Sequence, residues 1–175
     1  MRFQRLNDEV LVATEPLVWI GEEEIAELKT LAAANLRRRI RICAHSEPKD
    51  RLHEMLIVHV EGAYIRPHKH LGKSESVHVI EGEADAVFFD DAGTPEKVLA
   101  LGPYGSARRL YYRLDEPVYH TLLVNSEFFV MHEVTNGPFW REETVFAPWA
   151  PAEADGQACE RFRLELSRLA RGARR

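Results

Sequence analysis

The sequence predicts an all-β fold, a single barrel of short strands with an N-terminal amphipathic helix and a C-terminal extension. Three observations favour this fold. Strand-length apolar runs fill residues 39–134, helical periodicity precedes them, and a proline-rich and then arginine-rich stretch follows. The corresponding segments are 1–45 for the lead-in, 46–135 for the barrel and 136–175 for the extension.

The predicted strands are apolar or aromatic runs separated by residues that favour turns, such as Glu61-Gly62, Glu81-Gly82 and Gly102–Gly105. Many short strands at near-regular spacing are typical of a β-sandwich or barrel. The runs fall at 39–43, 54–61, 76–80, 84–89, 97–101, 109–114, 118–124 and 127–134.

The lead-in predicts two extended segments, Val10–Ala13 and Leu17–Ile20, and then one helix that packs on the outside of the barrel. Three glutamates follow Gly21, and acidic residues in a first turn favour the helix dipole. Apolar residues then recur at helical spacing, which predicts a helix of three to four turns. They are Ile25, Leu28, Leu31 and Ala32.

In the extension, Phe146–Pro151 is too aromatic for a free linker, so we expect Phe146 and Trp149 to dock on the barrel. Residues 160–175 then carry six arginines against two glutamates, in a chain whose net charge is −5. Because the rest of the chain is acidic and would repel phosphate, we expect no nucleic-acid partner for this basic tail.

Composition is that of an ordinary globular protein, with 45% hydrophobic and 29% charged residues. No apolar run reaches the roughly 20 residues that span a bilayer, and the first ten residues lack a signal-peptide core. Cys43 and Cys159 form no CxxC pair, so both are expected to be free thiols. A cytoplasmic location is therefore predicted.

The predicted site begins with His68 and His70, which a strand would place on the same face. Glu75 follows a turn at Leu71-Gly72, and His120 lies on a later predicted strand whose face can point into the same interior. Imidazole and carboxylate together suit one divalent first-row metal such as Fe, Mn, Ni, Zn or Co. For an ion that prefers six ligands, two positions would remain for water or substrate.

The run from Gly62 to Gly82 resembles the first cupin motif: Gly, five residues, His-x-His, four residues, Glu, six residues, Gly. His120 matches the histidine of the second motif, although Pro117 stands where a glycine is usual. This resemblance implies a jelly-roll barrel that holds a metal with His68, His70, Glu75 and His120.

More narrowly, four segments resemble the WbuC family of cupin-fold metalloproteins. They are Arg41–Pro48, Tyr64–Ser76, Tyr119–Thr121 and Phe146–Pro151. The resemblance implies metal binding and an association with surface-polysaccharide (O-antigen) genes, but no known reaction.

Three functions remain open. The first is a metal-dependent isomerase or epimerase of a small polar metabolite such as a sugar, with His132 or Glu75 as acid or base. The others are an Fe(II)-dependent oxygenase and a non-catalytic sugar-binding or regulatory module. Tyr64, Arg66 and Lys73 are candidates for binding the small-molecule ligand. A homodimer is expected, because the edge strands of small β-barrels need covering.

Overall fold

The computed structural model describes residues 3–173. Within that range the chain is mostly β, with twelve strands in two sheets and two α-helices. The strands are β1 (Phe3–Asn7), β2 (Val10–Ala13), β3 (Arg39–Cys43), β4 (Leu52–Val60), β5 (His68–His70), β6 (Glu75–Glu81), β7 (Ala84–Phe89), β8 (Pro95–Leu101), β9 (Tyr111–Leu114), β10 (Tyr119–Val124), β11 (Phe128–Asn136) and β12 (Thr144–Phe146). The helices are α1 (Glu22–Ala34) and α2 (Gly156–Ala173), and a short 3₁₀ helix covers Arg141–Glu143.

The two sheets face each other across an apolar core. One has seven strands in the order β1-β2-β3-β4-β11-β6-β9, and the other has five in the order β12-β5-β10-β7-β8. Side chains of both sheets meet in this core, among them Ile57, Val77, Phe88, Leu122 and Phe129. The predicted closed barrel is therefore corrected to an open sandwich, since no strand ladder among the described residues joins the sheets. The jelly-roll path stays a prediction.

Helix α1 covers the outer face of the seven-stranded sheet. It begins where the Glu24 carboxylate accepts a hydrogen bond from the Gly21 backbone N–H at 2.8 Å, which satisfies a donor that the first turn leaves free. Leu28 and Ala32 are fully buried against strand residues such as Ile40 and Val58. The predicted helix is thus present, at its predicted place.

The C-terminal extension covers the outer face of the five-stranded sheet. Leu166 and Ala170 of α2 are buried against residues such as Val87 and Leu123, and Trp149 packs on Phe89 with ring centroids 4.9 Å apart. The basic tail is therefore mostly a packed helix, while Arg174 and Arg175 lie outside the described residues. No helix of residues 3–173 combines the length and apolar character needed to cross a membrane.

Two glycines of the His-x-His segment occupy backbone conformations that favour glycine. Gly62 lies in the turn that follows β4, with φ +83°, and Gly82 lies in the turn between β6 and β7, with φ +80°. A Cβ atom on Gly82 would lie 2.0 Å from the Phe128 carbonyl oxygen, so a larger residue cannot fit there without moving β11. These turns fix where the strands that bear the site begin and end.

The lead-in belongs to the same sheet as the strands that follow it. β2 pairs in parallel with β3, and β3 pairs antiparallel with β4. Leu17–Ile20, expected to be extended, forms no strand, whereas Phe3–Asn7 forms β1. The division of the chain at residues 45 and 135 stays a prediction.

Candidate metal centre

Three histidines of the five-stranded sheet converge on its inner face. His68 and His70 stand two apart on β5, so their side chains share a face, and His120 of β10 is the register partner of His68. One ring nitrogen from each of the three lies within 4.8 Å of the other two. This group could hold a metal ion.

A hydrogen-bond acceptor or hydroxyl group contacts the Nδ1 atom of each ring. His68 Nδ1 lies 2.9 Å from the Arg66 carbonyl oxygen, and His120 Nδ1 lies 2.9 Å from the Val118 carbonyl oxygen. His70 Nδ1 lies 3.3 Å from the Thr144 hydroxyl. An Nδ1–H that donates to such a partner leaves Nε2 with its lone pair free for a metal, which is the usual arrangement around ligating histidines.

Glu75 stands at the start of β6, on the opposite sheet, and faces the same group. Its Oε1 lies 3.1 Å from His120 Nε2, and its Oε2 lies 3.4 Å from His70 Nε2. The Tyr112 hydroxyl of β9 donates a hydrogen bond to Oε1 at 3.3 Å. Glu75 is 6% exposed, so its carboxylate needs these partners to remain ionised in the interior.

The ionisable side chains of the group shift one another's pKa values. Burial disfavours ionisation of Glu75, but His120 and His70 outweigh burial and hold the pKa of the carboxyl well below its usual range. Burial also opposes protonation of His120, yet the Glu75 carboxylate raises the pKa of that imidazole. For His68, burial and the two neighbouring histidines lower the pKa to about 3, so its imidazole is neutral at ordinary pH.

The donor set fits a divalent first-row metal. Imidazole nitrogens and a carboxylate oxygen are ligands that such ions accept, and ligation requires neutral histidines and an ionised carboxyl. A carboxylate oxygen of Glu75 would supply the fourth donor. A bound cation would then replace the proton that Glu75 and His120 share. The identity of the metal is not resolved by these donors.

The three residues predicted to bind a ligand do not point into this group; they hold the C-terminal extension. The Tyr64 hydroxyl donates to the Pro151 carbonyl oxygen at 2.9 Å, and the Arg66 guanidinium donates to the carbonyl oxygens of Ala147 and Ala150. Lys73 Nζ donates to the Pro138 carbonyl oxygen at 2.8 Å and lies 3.2 Å from the Glu143 carboxylate. Each of the three thus has a hydrogen-bond partner within the extension, although Arg66 Nε has none.

Tyr64 also lines a cleft of about 560 Å³ that is separate from the histidines. The cleft lies between the turn after α1 and the start of α2. Its other lining residues include Arg37, Arg38, Glu153, Cys159 and Arg163.

His132, the predicted acid or base, lies on the outer face of the seven-stranded sheet. Its register partner on β4 is Leu56, which packs under α1, and its Nε2 lies 3.8 Å from the Glu54 carboxylate. The structure does not bring His132 to the metal-binding group, because the side chains of β11 alternate and this one points away. The adjacent residue, Glu133, points inward instead.

Glu133 sits between Met55 and Val77, both buried between the sheets, and is a diagonal neighbour of Glu75. Burial and the negative charge of Glu75 raise the pKa of Glu133 to about 7. No local signal separates Glu133 from His132, since both are polar residues at the end of the same apolar run. The contacts of Tyr112 and Thr144 carry no sequence signal either, because they join strands that are distant in sequence.

Three comparisons place the chain among known proteins. A family model described as a domain of unknown function, DUF6016, matches residues 20–101, which include His68, His70 and Glu75 but not His120. A search of curated proteins finds no match.

Several solved structures resemble the fold. A protein from Shewanella oneidensis aligns with TM-score 0.48 and 10% identity over 59% of this chain and 66% of its own. Oxalate decarboxylase from Bacillus subtilis aligns with TM-score 0.48 and 17% identity over 62% and 27%. The capsular polysaccharide assembling protein CapF from Staphylococcus aureus aligns with TM-score 0.46 and 17% identity over 56% and 27%. The chain thus spans about a quarter of the last two proteins, and at these scores no function follows.

Proposed function

We propose that the chain is a metal-binding cupin whose His68, His70, Glu75 and His120 hold one divalent metal. We further propose that it acts on a small polar metabolite such as a sugar or sugar derivative. The observation that carries the proposal is the convergence of one ring nitrogen from each of the three histidines within 4.8 Å, beside the Glu75 carboxylate. The motif spacing from Gly62 to Gly82 supports the cupin assignment.

Isomerisation or epimerisation is the reaction class that the neighbouring side chains favour. A divalent ion held there would polarise a carbonyl or hydroxyl of the bound molecule. Burial raises the pKa of Glu133 above its usual range, and a carboxyl shifted in this direction suits a general acid or base near neutral pH. Glu75 is already engaged by His70 and His120, so Glu133 replaces both predicted acid–base residues in this proposal.

The test is metal analysis of protein produced with Fe, Mn, Ni, Zn and Co supplied equally. We expect one metal per chain in wild-type protein and in Glu133→Gln, and a clear loss of metal in Glu75→Gln. Wild-type protein that neither retains a metal nor binds one when it is added would refute the proposal.

Turnover assays with sugar phosphates and nucleotide sugars then test the reaction. We expect conversion by wild-type protein and none by metal-loaded Glu133→Gln. Oxygen consumption with bound iron would indicate an oxygenase instead, and ligand binding without conversion would indicate a binding module.

The finer assignments belong to the same proposal. Membership of the WbuC family, and with it a role in surface-polysaccharide metabolism, is supported by the quoted sequence segments alone. A homodimer is supported by exposed apolar side chains on the outer strands of the larger sheet, Leu6 of β1 and Tyr111 of β9. A solution mass equal to one chain would refute the dimer.

A further inference from the structure

An arginine on the inner side of the seven-stranded sheet has no role in the metal group. Arg41 is the register partner of Ile57, and Ile57 lies in the core between the sheets. Its strand neighbours Ile40 and Ile42 point the other way, under α1. Because side chains alternate along a strand, the Arg41 side chain leaves the sheet on the inner side.

The surroundings of Arg41 agree with that direction. Its positive charge lowers the pKa of Glu133 and Cys43 against the stronger effect of burial, and adds to burial in lowering the pKa of His59. Glu133 and Cys43 are register partners of Met55, and His59 is the register partner of Phe129. Met55 and Phe129 lie in the core between the sheets, so all three residues are on the inner face. The guanidinium therefore lies beside the space between the sheets, yet Arg41 is exposed, so solutes can reach it.

Arg41 also differs from its neighbours in ion pairing. Arg37 and Arg39 both pair with the Glu9 carboxylate at 2.8 Å. Arg41 takes part in none of the ion pairs found among residues 3–173. A guanidinium without a carboxylate partner can bind an anionic group from outside.

The distance to the metal group suits a small molecule. Glu75 is on β6, Glu133 on β11 and Arg41 on β3, with β4 between the last two. Through β4 and β11, Arg41 is level with Val79, which lies four residues from Glu75 along β6. At roughly 4.8 Å per strand and 3.3 Å per residue, the Cα atoms of Arg41 and Glu75 are about 20 Å apart, and the two side chains shorten that gap. Glu133, on β11, lies between Glu75 and Arg41.

We propose that Arg41 binds the phosphate or carboxylate of a small metabolite whose other end reaches the metal group. This inference rests on the proposed function and narrows it, since the substrate would be an anionic sugar derivative rather than a neutral sugar. Arg41 is then a specificity-determining residue, and Glu133 lies beside the middle of the bound molecule. A planar guanidinium with several parallel N–H donors matches the oxygen atoms of either anion.

The experiment titrates manganese-loaded protein with ribose 5-phosphate, gluconate and uncharged ribose by calorimetry. We expect at least one of the two anions to bind wild-type protein more tightly than ribose, and the tighter anion identifies the group. Arg41→Ala should weaken that anion about tenfold or more, with ribose binding and metal content unchanged. Arg113→Ala is the matched control, because Arg113 is exposed on β9 and pairs with Asp115 at 2.7 Å.

A second measurement locates the anion. Phosphorus relaxation of ribose 5-phosphate by the bound manganese should place the phosphate on the order of 10 Å from the ion, because the Arg41 and Glu75 side chains together span about half of the distance between their Cα atoms. Unchanged anion binding in a folded, metal-loaded Arg41→Ala would overturn the proposal. So would anions that bind no better than ribose, or phosphate coordinated directly to manganese.

Failure of the metal site can be separated from failure of this inference. If wild-type protein holds no metal, the proposed function is wrong, and the same titration of metal-free wild-type and Arg41→Ala protein still tests the anion site. A tenfold difference between those two proteins supports it, and equal affinities overturn it.

Discussion

Two groups of histidines in this protein lie close together in different ways. The rings of His68, His70 and His120 are tilted or perpendicular to one another, with centroids 4.7–5.7 Å apart. The rings of His45 and His53 lie closer, with centroids 4.1 Å apart and planes within 5° of parallel. The closer pair is the less suited to a metal.

The reason is the direction of the nitrogen lone pairs. Lone pairs of imidazole lie in the plane of the ring, so two stacked parallel rings direct them along parallel planes that do not meet at one point. The three tilted rings are turned by different Nδ1 partners, and their second nitrogens can converge. Ring orientation therefore separates a candidate metal site from a packed pair. It is set by the backbone carbonyl two residues earlier for His68 and His120, and by the Thr144 hydroxyl of β12 for His70.

The largest expected effect comes from removing one histidine group or the other. His68→Ala/His70→Ala should bind no metal, whereas His45→Ala/His53→Ala should keep one metal per chain, as measured by elemental analysis. A chelator should lower the melting temperature of wild-type protein, because metal at about 100 times its Kd contributes roughly 2.7 kcal/mol to folding stability. It should not change the melting temperature of His68→Ala/His70→Ala.

Metal loss in the His45/His53 variant, with its fold intact by circular dichroism, would contradict the distinction between the two histidine groups. An equal chelator effect on all three proteins would show that the ion binds elsewhere.

An intermediate effect is expected from the hydroxyl that contacts His70. Thr144→Val removes the side-chain partner of Nδ1, and loss of such a partner typically costs 10- to 100-fold in metal affinity. Thr144→Ser retains a hydroxyl and should retain affinity close to wild type. Competition with a chromogenic chelator measures both, and equal affinities for the Val and Ser variants would show that ring anchoring does not matter here.

A smaller effect concerns His59, a buried histidine that belongs to neither group. Burial, with Arg39 and Arg41, lowers the pKa of His59 to about 3, against about 6.5 in an unfolded chain. The unfolded state therefore takes up a proton below pH 6.5 that the folded state does not, and stability falls as the pH drops from 6.5 towards 3. Between pH 7.5 and 5.5 this one residue should cost about 1.4 kcal/mol.

The variant that checks this is His59→Gln, studied by urea unfolding at both pH values with chelator present. Its loss of stability on acidification should be smaller than that of wild type by that amount. Part of the loss should remain, because the pKa of His68 is lowered in the same direction. A His59→Gln protein that loses as much stability as wild type would show that His59 titrates normally.

Local signals predicted much of the fold. The glutamates before Ile25 gave helix α1, and turn residues at Gly62 and Gly82 separated strands at nearly the right places. The spacing of His68 and His70 predicted their shared face, which the structure confirms.

What could not be predicted depends on which face of a strand is inside. Both faces of β11 are covered over Phe128–Met131, by α1 on one side and by the other sheet on the other, so the run shows no alternation. Without alternation, His132 and Glu133 are equivalent in sequence, and only the register with β4 and β6 assigns Glu133 to the interior. The contacts of Arg66 and Lys73 were unpredictable for a related reason, since their partners lie 65 to 84 residues further along the chain.

Strand β12 has a consequence for the order in which the molecule is made. It pairs with β5 along the edge that β10 leaves free, and its Thr144 contacts His70 across 74 residues of sequence. A nascent chain that has left the ribosome only as far as β11 carries all four proposed ligands, yet its histidine strand has one neighbour and His70 lacks its hydroxyl partner. Synthesis proceeds at about 5–20 residues per second, so the strand that completes the site follows within seconds. The candidate metal centre is therefore completed by the chain's C-terminal quarter, after every proposed ligand has already been made.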